Sequence, residues 1–450
     1  MKKRTFLKTS SVLITGSLLS PMLSCQQNQQ EEIGKNWAGN YAYSAKKLHH
    51  PQSVEQVQEL VKSHNKLRVL GTRHSFNSIA DSTENLVSLQ HLNQMTLNGE
   101  AQTVTVDAGV RYGELCRYLD TQGYALHNLA SLPHISVAGA CATATHGSGD
   151  RNGNLATAVS ALEIVTADGE VVELSREKDG EQFEGAVVGL GSLGVVTKVS
   201  LDIQPTFTMR QDVYENLPLR QLEEHFDTIE SSGYSVSLFT DWQNHTINQV
   251  WIKRRIEEGT SFTSEPELFE AKLASRHMHP IAAISAENCT EQMGIPGPWY
   301  ERLPHFRMDF TPSSGEELQS EYFVPRPHAV DAISAIYRMS EQVSPHLFIS
   351  EIRTIDADQL WMSPCYQQPS VAIHFTWKPE WSAVSQLLPE IEKELAPYGV
   401  RPHWGKLFTI SPARLQSLYE KHADFQQLLS QYDPEGKFRN AFLERNIYGS

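Results

Sequence analysis

Between residues 53 and 205 the apolar positions change their period over short distances. In SVEQVQELVKSH (53–64), Val54, Val57, Leu60 and Val61 fall at helical spacing behind Ser53, which predicts a helix with Ser53 as its N-cap. LRVLG follows as a strand, TVTVDAG (103–109) as another, and YGELCRYLDTQG as a helix ending at Gly123. AVSALEIVTADGEVVEL (158–174) reads as a hairpin turning at Asp168-Gly169, and GVVTKVSLDIQP alternates as a strand up to Pro205. This mixture of short strands and helices makes one α+β unit.

Beyond Pro205 the texture changes. Residues 206–410 combine long helical stretches with aromatic strands, among them HLFISEIRTID (346–356) and SVAIHFTWKP (370–379). The last segment, 411–450, reads as a helix, a Pro-Gly turn and a short apolar tail. The pattern therefore divides the chain into 36–205, 206–410 and 411–450, as a length of 450 residues leads one to expect.

A formal charge of −15 argues against a nucleic-acid partner, because phosphate backbones are held by basic patches. Residues 1–25 read as an export signal. MKKR supplies a positive start, SVLITGSLLSPML an apolar run too short to span a bilayer, and Ser24-Cys25 a cleavage point. KRTFLK resembles a twin-arginine signal with Lys3 in place of the first arginine, and MLSC resembles a lipobox with Met22 in place of the usual aliphatic residue. Lipidation at Cys25 and simple cleavage are the two outcomes this permits. The expected location is the periplasm of a bacterium, or its membrane as a lipoprotein. Cys116, Cys141, Cys289 and Cys365 show no metal-ligand spacing; no metal site is expected, and Cys116 falls on the apolar side of its helix.

Two glycine-rich stretches invite a phosphate. GLGSLG (189–194) matches the dinucleotide fingerprint G-x-G-x-x-G, but that fingerprint needs a helix after it, and β-branched VVTKVSLDI follows instead. A tight turn near a ligand is the expectation there. PHISVAGACATATHGSGDRNG (133–153) is more informative. Its small residues let backbone N–H groups approach a diphosphate closely, while Ile135, Val137 and Cys141 anchor the segment as no free surface loop would.

Together GTRHSFN (71–77) and SVAGACATATHGSG resemble the two-part FAD site of the vanillyl-alcohol-oxidase-type flavoproteins. Within that family, GTRHSFN, EIRT, HFTW and RPHWGK are similar to the alditol oxidases, and less closely to the sugar-lactone oxidases; 206–300 shows no such match. Ala144 departs from the pattern, since many relatives carry glycine there, and its methyl is expected to crowd the cradle slightly. The resemblance implies an α+β fold: a two-subdomain FAD-binding domain (36–205), a substrate or cap domain with an antiparallel sheet (206–410), and a C-terminal segment returning to the FAD domain. It implies cofactor contacts from Leu70, Gly71, Thr72, Arg73, His74, Ser75, Phe76, Ser136, Cys141, Ala144, Thr145, His146, Gly147, Ser148, Val196 and His403. It further implies a covalent bond from a His74 ring nitrogen to the flavin, for which a neutral imidazole is a competent nucleophile. The alternative is a histidine packed against FAD without a bond.

Glu351 and Arg353 lie two apart on a predicted strand and so share a face; His374 and Thr376 do the same on the next. By composition alone Glu351 and Arg353 could be a structural pair. By resemblance, Ser136, Gln319, Glu351, Arg353, Thr376 and Lys406 bind a polyol such as xylitol or sorbitol. Glu351 accepts from its hydroxyls, and Arg353 and Lys406 stabilise charge on the reacting oxygen, with Lys406 as base if it is neutral. The implied reaction passes hydride from a terminal carbinol to flavin N5 and reduces O2 to H2O2. The alternative is a lactone oxidase or dehydrogenase using another acceptor. A polyol-binding surface lipoprotein without turnover would leave both flavin motifs unused. A monomer is expected.

Overall fold

The computed structural model describes residues 33–257, 259, 262–308 and 316–449. The export signal and Cys25 lie outside the described residues.

The local rules act as the pattern predicts. Helix α1 (Val54–Ser63) is capped by Ser53, whose hydroxyl accepts from the Gln56 amide at 3.4 Å, and it buries Val57 and Val61. Strands β1 (Lys47–His49), β2 (Leu67–Val69) and β3 (Asn85–Val87) form a small parallel sheet in the order β1-β3-β2. Helix α2 (Tyr112–Thr121) ends just before Gly123, which takes a φ of 83°.

A second sheet is antiparallel, with β4 (Met95–Asn98), β5 (Thr103–Asp107), β6 (Val159–Val165), β7 (Val171–Ser175) and β8 (Val195–Asp202) in the order β4-β5-β8-β6-β7. GLGSLG is the turn that feeds β8. Gly194, at φ 150°, brings its backbone so near β6 that an added Cβ would lie 2.4 Å from the Val165 carbonyl oxygen. The element after the fingerprint is a strand, and the diphosphate-on-a-helix reading has no helix to use.

The third sheet begins at Thr208. Its long strands are β9 (Thr208–Pro218), β10 (Ser235–Thr240), β11 (Thr246–Ile256), β12 (Leu318–Pro325), β13 (Leu347–Ile355) and β14 (Ser370–Trp377), with the short β15 (Arg401–Pro402), in the order β9-β11-β10-β13-β14-β12-β15. All these neighbours whose register is defined pair antiparallel. Helices Leu219–Glu230, Ala329–Arg338 and Trp381–Leu395 pack on this sheet. Ile352 and Thr354 alternate along β13 with Glu351 and Arg353, so the charged pair occupies the opposite face from Thr354. After β15 the chain returns to its beginning. The Lys437 carbonyl accepts from the Leu67 amide at 3.1 Å, and Asn440 Nδ2 lies 3.0, 3.1 and 2.9 Å from the carbonyls of Ser78, Ile79 and Asp81.

One buried carboxyl in this core has no counter-charge in hydrogen-bond contact among the described residues. Glu230 is fully buried; Oε2 accepts from Thr354 Oγ1 at 3.2 Å, and among the described residues Oε1 has no hydrogen-bond partner. Burial pushes the carboxyl up from 4.5 to about 8. The folded chain therefore keeps the proton while the unfolded chain releases it above 4.5, so stability falls as pH rises from 4.5 towards 8, by at most about 1.4 kcal/mol per unit. Glu230→Gln should remove this slope. The melting-temperature difference between variant and wild type should move in the variant's favour from pH 5 to pH 8, whereas a constant difference contradicts the assignment.

Candidate active site

A cavity of about 860 Å³ lies between the glycine-rich segments and the polar face of the large sheet. That volume suits a cofactor with its substrate. Gly71, Thr72, Arg73, His74, Ser75 and Phe76 form one part of its wall, with Leu70 beneath. Arg73 adopts a left-handed φ of 66°, which turns the chain sharply before His74. An added Cβ on Gly71 would lie 2.8 Å from Ser136 Oγ, so glycine lets this turn close onto the second motif. Ser136 replies by donating its amide to Thr72 Oγ1 at 3.1 Å.

The second motif folds more regularly than its composition implies. Val137–Ala142 is a short helix; Ala138, Gly139, Ala140 and Ala142 line the cavity, while Val137 and Cys141, four apart, point into the core. Thr145, His146 and Val196 also reach the wall, as do Leu190 and Gly191 of the GLGSLG turn.

The structure places four expected cofactor residues outside the lining. Cys141 contacts the Tyr112 hydroxyl at 3.6 Å. Gly147 is packed against the Leu129 carbonyl, and Ser148 donates to the Val236 carbonyl. Ala144 is buried behind the wall with a φ of 53°. Its methyl therefore does not narrow the cradle, contrary to expectation. Glycine suits that position because the backbone is left-handed, a conformation that costs an alanine about 1 kcal/mol.

His74 faces the cavity with its ring stacked on Trp37, centroids 5.2 Å apart. Burial, reinforced by His134, Lys406 and Arg111, pushes the imidazole down to about 3, so it is neutral and nucleophilic at pH 7. The loop beyond β15 is stitched to this turn: Phe76 N donates to the Gly405 carbonyl at 2.7 Å, and Asn77 Nδ2 to those of Trp404 and Lys406 at 2.8 and 2.7 Å. Lys406 is thereby carried to the wall next to His74. Glycine-lined backbone, a neutral histidine and this volume fit a dinucleotide flavin.

The sheet supplies the opposite wall. Register sets Glu321 of β12 opposite His374 of β14, and His374 opposite Glu351 of β13, in one row; Gln319 and Thr376 form the adjacent pair. All five line the cavity, with Arg353, Lys406 and His403. Glu321 Oε1 accepts from Arg353 at 2.7 Å and from His146 Nε2 at 3.0 Å, and Oε2 lies 3.5 Å from His374 Nδ1. Burial alone would raise this carboxyl, but His146, Arg353 and His374 hold it well below the usual range. Glu351 behaves likewise: Arg353 and His305 outweigh its burial and keep it ionised. Burial pulls Lys406 down to about 8 and His403 to about 3. The Lys406 ammonium donates to Gln319 Oε1 and sits 5.0 Å from the Phe76 ring centroid.

Sequence reasoning missed Glu321, His305 and Asn77. Glu321 was detectable, since it follows Gln319 by two on the same strand. His305, in the loop ERLPHFRM, carries no periodic signal.

Comparison with known proteins agrees with this geometry. Residues 45–175 match the FAD binding domain family, and residues 313–446 the D-arabinono-1,4-lactone oxidase family. The chain is 47% identical over 419 residues to an alditol oxidase of a Streptomyces species, covering 92% of this chain and 99% of the relative. It is 27% identical over 441 residues to an L-gulonolactone oxidase of Bos taurus, covering 92% and 98%. A cholesterol oxidase structure from B. sterolicum shares the fold with a TM-score of 0.72 at 17% identity, over 92% of this chain and 96% of that one. With the cradle, the neutral histidine and the sheet face in one cavity, the chain belongs to the alditol oxidase family of the vanillyl-alcohol-oxidase-type FAD-linked flavoenzymes.

Proposed function

We propose that this chain oxidises a polyol such as xylitol or sorbitol at a terminal hydroxyl, giving an aldose and passing the electrons through FAD to O2 as H2O2. The observation that carries this reading is the charge balance of the sheet wall. Glu321 and Glu351 are matched by Arg353 and Lys406 within the same cavity. Such a face offers donors and acceptors with little net charge to neutralise. A neutral ligand with a hydroxyl on each carbon suits it, because every desolvated hydroxyl needs a partner. The alditol oxidase relative, at 47% identity against 27% for the gulonolactone oxidase, supports a polyol over a lactone.

FAD, when bound, supplies the acceptor for the hydride that leaves the carbinol carbon. Leu70 to Phe76, Ser136, Thr145, His146, Val196 and His403 would hold it, with His74 as the residue of covalent attachment. Glu351 accepts from substrate hydroxyls. Arg353 and Lys406 place positive charge beside the reacting oxygen, and Gln319, Thr376 and Ser136 orient the remaining hydroxyls. With its pKa near 8, Lys406 also has a neutral fraction able to take the hydroxyl proton. Export with lipid attachment at Cys25 completes the reading and is supported by the first 25 residues alone.

Two outcomes follow. Purified protein should be yellow, should bleach anaerobically with xylitol and release peroxide in air, and should do so far faster than with gulonolactone. Faster turnover of the lactone, or reduction of a dye without peroxide, sinks the polyol oxidase. On a denaturing gel, flavin fluorescence should stay with the wild-type band and be lost from His74→Ala, which still folds and binds FAD through the cradle. Wild-type flavin found only in the acid supernatant removes the covalent bond.

A further inference from the structure

Lys253 of β11 is buried away from the cavity, with only 1% of its surface exposed. Its ammonium donates to the carbonyls of Leu303 and Pro304, the latter at 3.3 Å, and lies 3.0 Å from His305 Nδ1. Three N–H groups thus meet three acceptors. Burial pulls the Lys253 ammonium down from 10.5 to about 7; in its charged form it can only donate to Nδ1, which leaves the single proton of the neutral ring on Nε2. Nε2 in turn donates to Glu351 Oε1 at 2.7 Å. The ring is held from both sides, edge-on to Trp251 at 5.2 Å and Phe239 at 5.5 Å, while its amide donates to the Ser131 carbonyl at 3.1 Å.

The chain of donors ends on a cavity-lining carboxylate that has a competitor. Arg353 Nε is buried with no hydrogen bond among the described residues and lies 3.6 Å from the same Glu351 Oε1. Among the described residues no hydrogen bond reaches Glu351 Oε2. If His305 released Oε1, Arg353 could close on it, and two substrate-binding groups would then satisfy each other. A loop pinned for stability alone needs neither a charged residue nor an imidazole. A buried ion is often replaceable by an apolar side chain of similar volume without loss of stability.

We propose that Lys253 and His305 are positioning residues for Glu351: the lysine fixes the imidazole as an Nε2–H donor, and the imidazole fixes one carboxylate oxygen so that the other meets the substrate. This rests on the reading that Glu351 binds the polyol. Burial, with Lys253 beside it, pushes His305 down to about 4, so the ring is neutral at pH 7 and has a single proton to direct.

The test uses the flavin-loaded enzyme and three variants: Lys253→Met, His305→Leu and His305→Gln, the last keeping an amide donor near the Nε2 position. ¹⁵N spectra of histidine-labelled protein, with the His305 signals assigned by their loss in His305→Gln, report the tautomer without substrate. Wild type should show protonated Nε2 and bare Nδ1, and Lys253→Met a mixture. With xylitol, Lys253→Met and His305→Leu should lose about 10- to 100-fold in kcat/KM at unchanged flavin absorbance, the range expected for a hydrogen bond to a charged group. His305→Gln should recover part of that loss. A Lys253→Met enzyme with a lowered melting temperature and wild-type kcat/KM overturns the proposal, as does a proton on Nδ1 in wild type. A wild type inert towards polyols, whose tautomer nonetheless depends on Lys253, supports the relay and overturns the substrate reading alone.

Discussion

A carboxylate taken out of water loses several kcal/mol of solvation unless charged or hydrogen-bonding groups replace it. Glu321, 2% exposed, regains that solvation from groups on three separate parts of the chain. His146 comes from the glycine-rich segment, Arg353 from β13 and His374 from β14, while the backbone carbonyl of Glu321 accepts from the amide of His403 at 3.0 Å. His146 directs Nδ1 to the Gly147 carbonyl at 2.8 Å and Nε2 to Glu321, so the imidazole joins cradle to sheet. It works beside a backbone link between the same two walls, the Gly149 amide donating to the Thr354 carbonyl at 2.9 Å.

The rest of the cavity is arranged around the same neutralisation. Arg353 is shared between Glu321 and Glu351, and its guanidinium is held charged because the two carboxylates outweigh its burial. Lys406 reaches the site from the loop that is sewn to the His74 turn by backbone and Asn77 hydrogen bonds. Fixed charges of both signs in a water-poor cleft can stabilise a charge that develops on a substrate oxygen without reorganising as it forms. Burial, helped by His134, Lys406 and Arg111, keeps His74 neutral. Lys406 therefore bears on both the His74 turn and the sheet face.

Much of this was legible in the sequence because period and turn chemistry are local. Ser53 caps its helix, Asp168-Gly169 turns its hairpin, and the strand after GLGSLG disqualified that motif from its familiar role. The spacing of Glu351 and Arg353 gave their common face. What escaped was set by register and by loops. Glu321 meets His374 only because β12 pairs with β14 in one register, and His305 meets Glu351 through an irregular segment 46 residues away. Residues 133–153 were read as a backbone cradle anchored by Ile135, Val137 and Cys141, but not as the short helix they hold, whose core-facing side keeps Cys141 out of the cavity lining. At Ala144 the sequence showed an odd methyl but not the left-handed backbone that explains it.

The central claim is that Glu321 couples the two walls as an ionised carboxylate, and Glu321→Gln tests it with little change in shape. The measurement is the rate of anaerobic flavin reduction at saturating xylitol, followed by flavin absorbance in wild type and variant. An amide leaves the Arg353 guanidinium without this counter-charge and takes the carboxylate from His146 Nε2, a loss of about 2–5 kcal/mol for a buried pair; the displaced Arg353 should slow flavin reduction on the order of 100-fold while the oxidised flavin spectrum persists. A variant that is reduced within twofold of the wild-type rate would contradict the account.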